Sequence, residues 1–303
     1  MKLLALGTMM VLLAGPAAAA DKLEDSFQSL KDAVAKKDPA QVKKLVADLA
    51  PLIKQELAVP APSGAEEKKA WTDHIDYVKS IDDYTEYALF ATAIQSPPAQ
   101  LVDLIATLEK MDSCSKYLDQ AYASYLYALN QTGAASRIPA IAEEGLKMFP
   151  DNEDLLLVSM ENALSRKQAD RALTYANKLT ATLPRRPKPE TMSAADWERK
   201  RGAAMGRGYW VAGVIYADRG NYAAADKSLR AALPFIQGNN AELGPALFFL
   251  GTANYQLGKM TLNKARVLEA VKFSEQSAVI PSPYADQARH NALVMKTEAD
   301  HMR

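Results

Sequence analysis

Cysteine and histidine are scarce in this 303-residue chain, which holds one cysteine, Cys114, and three histidines, His74, His290 and His301. A lone cysteine closes no disulfide within the chain. No two histidines stand at i, i+4 and none lies beside the cysteine, so metal-ligand spacing is missing. A phosphate-binding glycine loop is missing too. Gly206-x-Gly208 begins like a dinucleotide fingerprint, but the third glycine is absent and no strand precedes it. No nucleophile elbow or other catalytic signature is found. These absences predict no metal, no cofactor and no turnover. A basic surplus is also lacking, since 36 lysines and arginines face 36 acids, and this excludes an electrostatic nucleic-acid binder.

Long apolar runs are confined to the first residues, "MKLLALGTMMVLLAGPAAAA". Lys2, the short apolar stretch Leu3–Leu13 and the small pair Ala18-x-Ala20 before Asp21 read as a secretory signal peptide over residues 1–20. The stretch is too short to span a bilayer comfortably. Removing it takes away Lys2 and leaves a balance of about −1 in the mature chain. An exported chain without a disulfide framework predicts a periplasmic or secreted, soluble protein with no stable membrane insertion.

Strand alternation is nearly absent, and alanine, leucine, lysine and glutamate dominate, which predicts an all-α fold. Residues 21–64 hold two helices joined at Asp38-Pro39 and closed by "VPAPSG". A long helix follows from Ala65 to Gln95, with Tyr77, Ile81, Tyr84, Ala88 and Ala91 predicted to share one packed face. Helix, turn and helix then alternate to the C-terminus. Gly133, Pro150, Pro184, Gly220, Gly258, Pro281 and Pro283 mark the turns. "PRRPKPETMSAADWERKR" interrupts the alternation with a loop near 184–196, where Ser193 and Asp196 predict a helix start and Trp197 an anchor.

The stretch "YWVAGVIYADRGNYAAADKSLRAAL" carries the sharpest pattern. Tyr209 is followed by the small pair Ala212-Gly213 and by Tyr216, then by Gly220, Tyr222, Ala225, Leu229 and Ala232. This resembles a tetratricopeptide repeat, a helix hairpin of about 34 residues. Weaker matches run from Tyr84 to the C-terminus, whereas residues 21–64 show no repeat pattern. The resemblance implies a right-handed α-solenoid of stacked antiparallel hairpins over residues 65–303. It also implies a concave face lined by the first helix of each hairpin. The positions it assigns to that face are Tyr127, Asn130 and Gln131; Asp154, Leu157 and Glu161; Arg207, Trp210, Val214 and Asp218; Phe248, Thr252 and Tyr255; and His290. The lysine and asparagine clamp that some such repeats use for a C-terminal carboxylate has no counterpart here.

The expectation is a non-enzymatic interaction scaffold that binds a peptide or protein of the cell envelope. Two other readings compete. A deep apolar pocket would favour a small-molecule or lipid carrier. Facing carboxylates across the concavity would favour an enzyme, or enzyme subunit, acting on envelope polymers.

Overall fold

The computed structural model describes residues 16–189 and 192–302, with side chains from residue 21 onward. The expected leader therefore falls almost wholly outside the described residues. Thirteen α-helices and no strands occur among the described residues, and sequence neighbours pack on one another. The chain divides after Ala135 into two compact units.

The first unit holds α1 (Pro16–Ala35), α2 (Pro39–Leu57), α3 (Ala65–Ala93), α4 (Pro98–Met111) and α5 (Lys116–Gln131). Its core is aliphatic: Leu30, Val42, Leu49, Val78, Ile81, Leu89, Leu104 and Leu108 are all buried. Ile81, Ala88 and Ala91 are buried as predicted. Tyr77 and Tyr84 are not part of that packed face: Tyr77 is 43% exposed and Tyr84 is half-buried. The interior positions beside them belong instead to Val78, Thr85 and Leu89, which leaves the tyrosines along the helix edge.

The second unit holds α6 (Ile138–Met148), α7 (Glu153–Ser165), α8 (Ala169–Thr182), α9 (Ala194–Asp218), α10 (Tyr222–Ile236), α11 (Asn240–Met260), α12 (Lys264–Ala278) and α13 (Ala285–His301). Each helix packs on the next, and the odd-numbered helices also touch one another in turn, α7 on α9, α9 on α11 and α11 on α13.

One turn recurs in both units. Helices α1, α5, α7, α9 and α11 each end at a residue with positive φ: Lys37, Gly133, Lys167, Gly220 and Leu262. In each case the following amide reaches back to the carbonyl five residues earlier: Asp38 to Ala33, Ala134 to Leu129, Gln168 to Ala163, Asn221 to Tyr216 and Asn263 to Gly258. This is the Schellman ending, which satisfies carbonyls that a helix C-terminus would otherwise orphan. Asp38, Asn221 and Asn263 then cap the next helix, accepting from the amides of Gln41, Ala224 and Arg266. Gly133 and Lys167 stand 34 residues apart. The same turn joins α1 to α2, in residues that the sequence pattern left unassigned.

One turn expectation needs correction. Gly258 is not a turn glycine: it lies inside α11, and the reversal falls at Leu262. Its role is close approach, since a Cβ there would stand 2.7 Å from Val267 Cγ2 and 3.0 Å from the Val267 amide. Gly213 marks a close helix crossing, with Leu229 Cγ 2.5 Å from an added Cβ. The bulky leucine fills the space that the glycine vacates. Other expectations hold. Ser193 Oγ accepts from the Asp196 amide at 3.1 Å to start α9. Trp197 is buried against Leu156, Leu179 and Leu183.

Two outcomes are expected in denaturation experiments. Leu262 is 82% exposed, so Leu262→Gly sheds left-handed strain with little lost packing and should stabilise the second unit by about 1 kcal/mol; unchanged or lowered stability would refute strain at this turn. Gly213→Ala and Gly258→Ala should each destabilise by about 1–3 kcal/mol through overpacking. Gly202→Ala, whose Cβ would meet Phe235 Cδ1 at an ordinary 3.5 Å, should be neutral or stabilising. Equal effects at all three glycines would show that helix crossing distance is not what they control.

Candidate functional site

The odd-numbered helices of the second unit carry most of the positions assigned to a binding face. Glycines decide which side of α9 is free for this. Gly208 abuts Thr180 of α8, while Gly206 and Gly213 abut Phe235 and Leu229 of α10. Two sides of α9 are thus consumed by close helix contacts. Arg207, Trp210 and Val214 project from the remaining side at helical spacing.

Arg207 forms the centre of that side. Its Nε and one terminal nitrogen donate to the two carboxylate oxygens of Glu161 on α7, at 2.6 and 3.0 Å. Its other terminal nitrogen donates to Glu242 on α11 at 3.1 Å. The guanidinium carbon lies 4.8 Å from the centre of the Trp210 ring, and the Trp210 indole N–H donates to the Glu242 carbonyl at 2.9 Å. Hydrogen bonding to Glu161 is the main reason its pKa stays above the usual arginine value. One planar fork therefore ties three successive odd helices. Glu161, Arg207 and Trp210 are engaged with one another, and they hold the face together.

Phe248 is likewise committed to packing. It is 7% exposed and stacks on Tyr284, with ring centres 4.7 Å apart, while Phe249 meets both rings edge-on. Thr252 bonds the Phe248 carbonyl, and Val214 is half-buried against the Leu229 cluster. Tyr255 is half-buried beside Val267 and Met295 and accepts from Lys259 Nζ at 3.2 Å. Burial holds its phenol above the usual range. Asp218 and His290 are exposed. In the first unit, Tyr127 is 64% exposed, Gln131 is exposed, and Asn130 turns its amide back to the Leu126 carbonyl.

Asp154 is drawn into a separate buried charge cluster. Lys200 Nζ lies 2.7 Å from Glu153 and 2.6 Å from Asp154, and Arg186 Nε lies 3.0 Å from Glu153. Burial opposes ionisation of both acids. In Glu153 the nearby Lys200 and Arg186 overcome it and hold the carboxyl below the usual range, while in Asp154 burial prevails and raises it. This cluster and Trp197 clamp both ends of the interrupting loop onto α7. Glu153, Arg186, Lys200 and Glu242 have no sequence signal as a set, because their spacing follows only from the packing.

Among the described residues no group of three or more histidine, cysteine, aspartate or glutamate side chains is placed to hold a metal ion. No helix among them is long and apolar enough to cross a membrane. The chain matches no family model, no curated protein and no solved structure.

Lys200→Met should destabilise the second unit by about 3 kcal/mol at neutral pH, because Glu153, only 3% exposed, keeps a single cationic partner. Lowered Glu153 contributes stability that is present above its ordinary pKa of 4.5 and lost as pH falls through its folded value. The gap between variant and wild type in urea melts should therefore narrow as pH drops below about 4.5. A gap independent of pH would mean that Lys200 acts through packing alone.

Proposed function

We propose that this chain is a right-handed α-solenoid of the tetratricopeptide-repeat kind. On this reading it is a non-enzymatic scaffold, periplasmic or secreted, that holds a peptide or protein partner of the cell envelope on its first-helix face. The observation that carries the reading is the division of labour along that face. Glu161, Arg207 and Trp210 are tied together with Glu242, and Phe248 stacks on Tyr284, so these side chains fix the helices. In the second unit Asp218 and His290 stay exposed, and Tyr255 is half-exposed. A framework that needs no partner, bearing a phenol, an acid and an imidazole within reach of solvent, is suited to adaptable polar recognition.

The 34-residue spacing of the Gly133 and Lys167 turns and the contacts between odd helices both support the repeat. The carrier reading draws less support from the cavities. A groove of about 620 Å³ along α12 is lined by Arg266, Glu269 and Lys272 together with Asn263, Ala265 and Leu268.

Photocrosslinking in the native envelope tests this reading. A photoreactive residue placed at Asp218 or His290 should capture one partner in common. Placed at exposed Lys227 of α10, it should capture none. Equal capture from both sets, or capture from Lys227 alone, would place binding on another surface and overturn the assignment.

A further inference from the structure

One cavity in the first unit plays no part in the proposed scaffold face. It measures about 380 Å³ and lies where α2, α3 and the end of α4 meet. That size falls near the lower end of ligand pockets, which run from roughly 300 to 1,000 Å³. Ile53 and Thr85 line it from below, and both are buried. The Thr85 hydroxyl donates to the Asp82 carbonyl at 2.7 Å, so its proton is spent within α3. Leu57, one helical turn beyond Ile53 on the same face of α2, is 37% exposed. Met111 at the end of α4 completes the apolar lining.

Two charged side chains line the same cavity, Lys54 of α2 and Asp82 of α3. Among the described residues neither enters a salt bridge or a side-chain hydrogen bond, with the other or with any third group. Asp82 bears a cost for this. It is half-buried, and burial together with the carboxylates of Asp112 and Asp83 pushes it above its usual range. An arriving ammonium relieves both effects. The two charges therefore select the occupant. A neutral apolar ligand would cover both and pair neither. An anion would meet Asp82, with Asp83 and Asp112 close by, and a simple amine would meet Lys54. A zwitterion answers both charges at once, and the apolar lining calls for a hydrophobic group beside them. A free amino acid with a large aliphatic side chain carries all three.

We propose that this cavity binds a free α-amino acid with a large aliphatic side chain. Its ammonium pairs with Asp82 and its carboxylate with Lys54, while the side chain lies on Ile53, Leu57 and Met111. The cavity lies wholly within the first unit, so its failure and that of the first-helix face are separate questions.

The test follows leucine binding to the full chain by calorimetry and amide NMR shifts. Binding is expected, with shifts centred on residues 50–58, 82–85 and 111. N-acetyl-leucine, which lacks the ammonium, should bind at least tenfold more weakly, and so should leucinamide, which lacks the carboxylate. Glycine, with both charges and no side chain, should lose at least as much. Asp82→Asn and Lys54→Met should each weaken leucine at least tenfold. Lys69→Met, at an exposed position of α3 outside the cavity, should leave it unchanged. If Asp82→Asn disturbs the fold by circular dichroism, Lys54→Met and the three analogues decide the matter. Absence of binding, shifts centred elsewhere, or any one analogue binding as tightly as leucine would overturn the proposal. So would indifference to the Lys54 change.

Discussion

Everything in the second unit depends on how closely the two helices of a hairpin approach. At Gly213, Gly251 and Gly258 the neighbouring helix comes so near that a single added carbon would stand 2.5 to 2.7 Å from the nearest atom. Such proximity demands a short reversal, and the left-handed turn supplies one that also satisfies the terminal carbonyls. Turn and crossing are thus one constraint seen twice. The glycines cost helix stability locally, and the packing they permit more than offsets it. With two sides of α9 closed in this way, the third is left for Arg207 and its partners.

Charge does the remaining positioning, and it does so inside the fold as much as on its surface. Arg207 bridges three helices. Asp226 gathers Arg230, Arg266 and the buried Asn254 across α10, α11 and α12. Glu153 gathers Arg186 and Lys200. Each cluster joins separate helices, where a misaligned hairpin would strand a carboxylate without a partner. Their contribution is therefore to register: a wrong pairing is penalised more than the right one is rewarded.

Much of the architecture was legible because its determinants are local. Gly213, Gly220 and Ser193 announce their roles through spacing, and Trp197 announces its own by standing beside a proline-rich loop. Lys37, Lys167 and Leu262 were illegible as turn residues, since a left-handed conformation in a non-glycine residue leaves no compositional trace. The recurrence of the turn in residues 21–64 was hidden for the same reason. Gly258 misled because a glycine near a helix end reads as a turn whether it bends the chain or lets another helix come close. The assigned face was legible only in outline. Sequence spacing chose Glu161, Arg207 and Trp210, but only coordinates show that they satisfy one another.

The shared turn also bears on how the chain reaches its folded state. Within each unit nearly every contact joins a helix to its immediate neighbours, so sequence separations are short and little loop entropy must be surrendered before packing begins. A hairpin can close as soon as its second helix is available, and it then offers a template to the next. Assembly can proceed in order from the N-terminus while the rest of the chain is still emerging, with no distant segment required to complete a core. The same locality predicts that a pulling force applied to the ends of the second unit would peel it hairpin by hairpin, the left-handed turns serving as the points where each step halts.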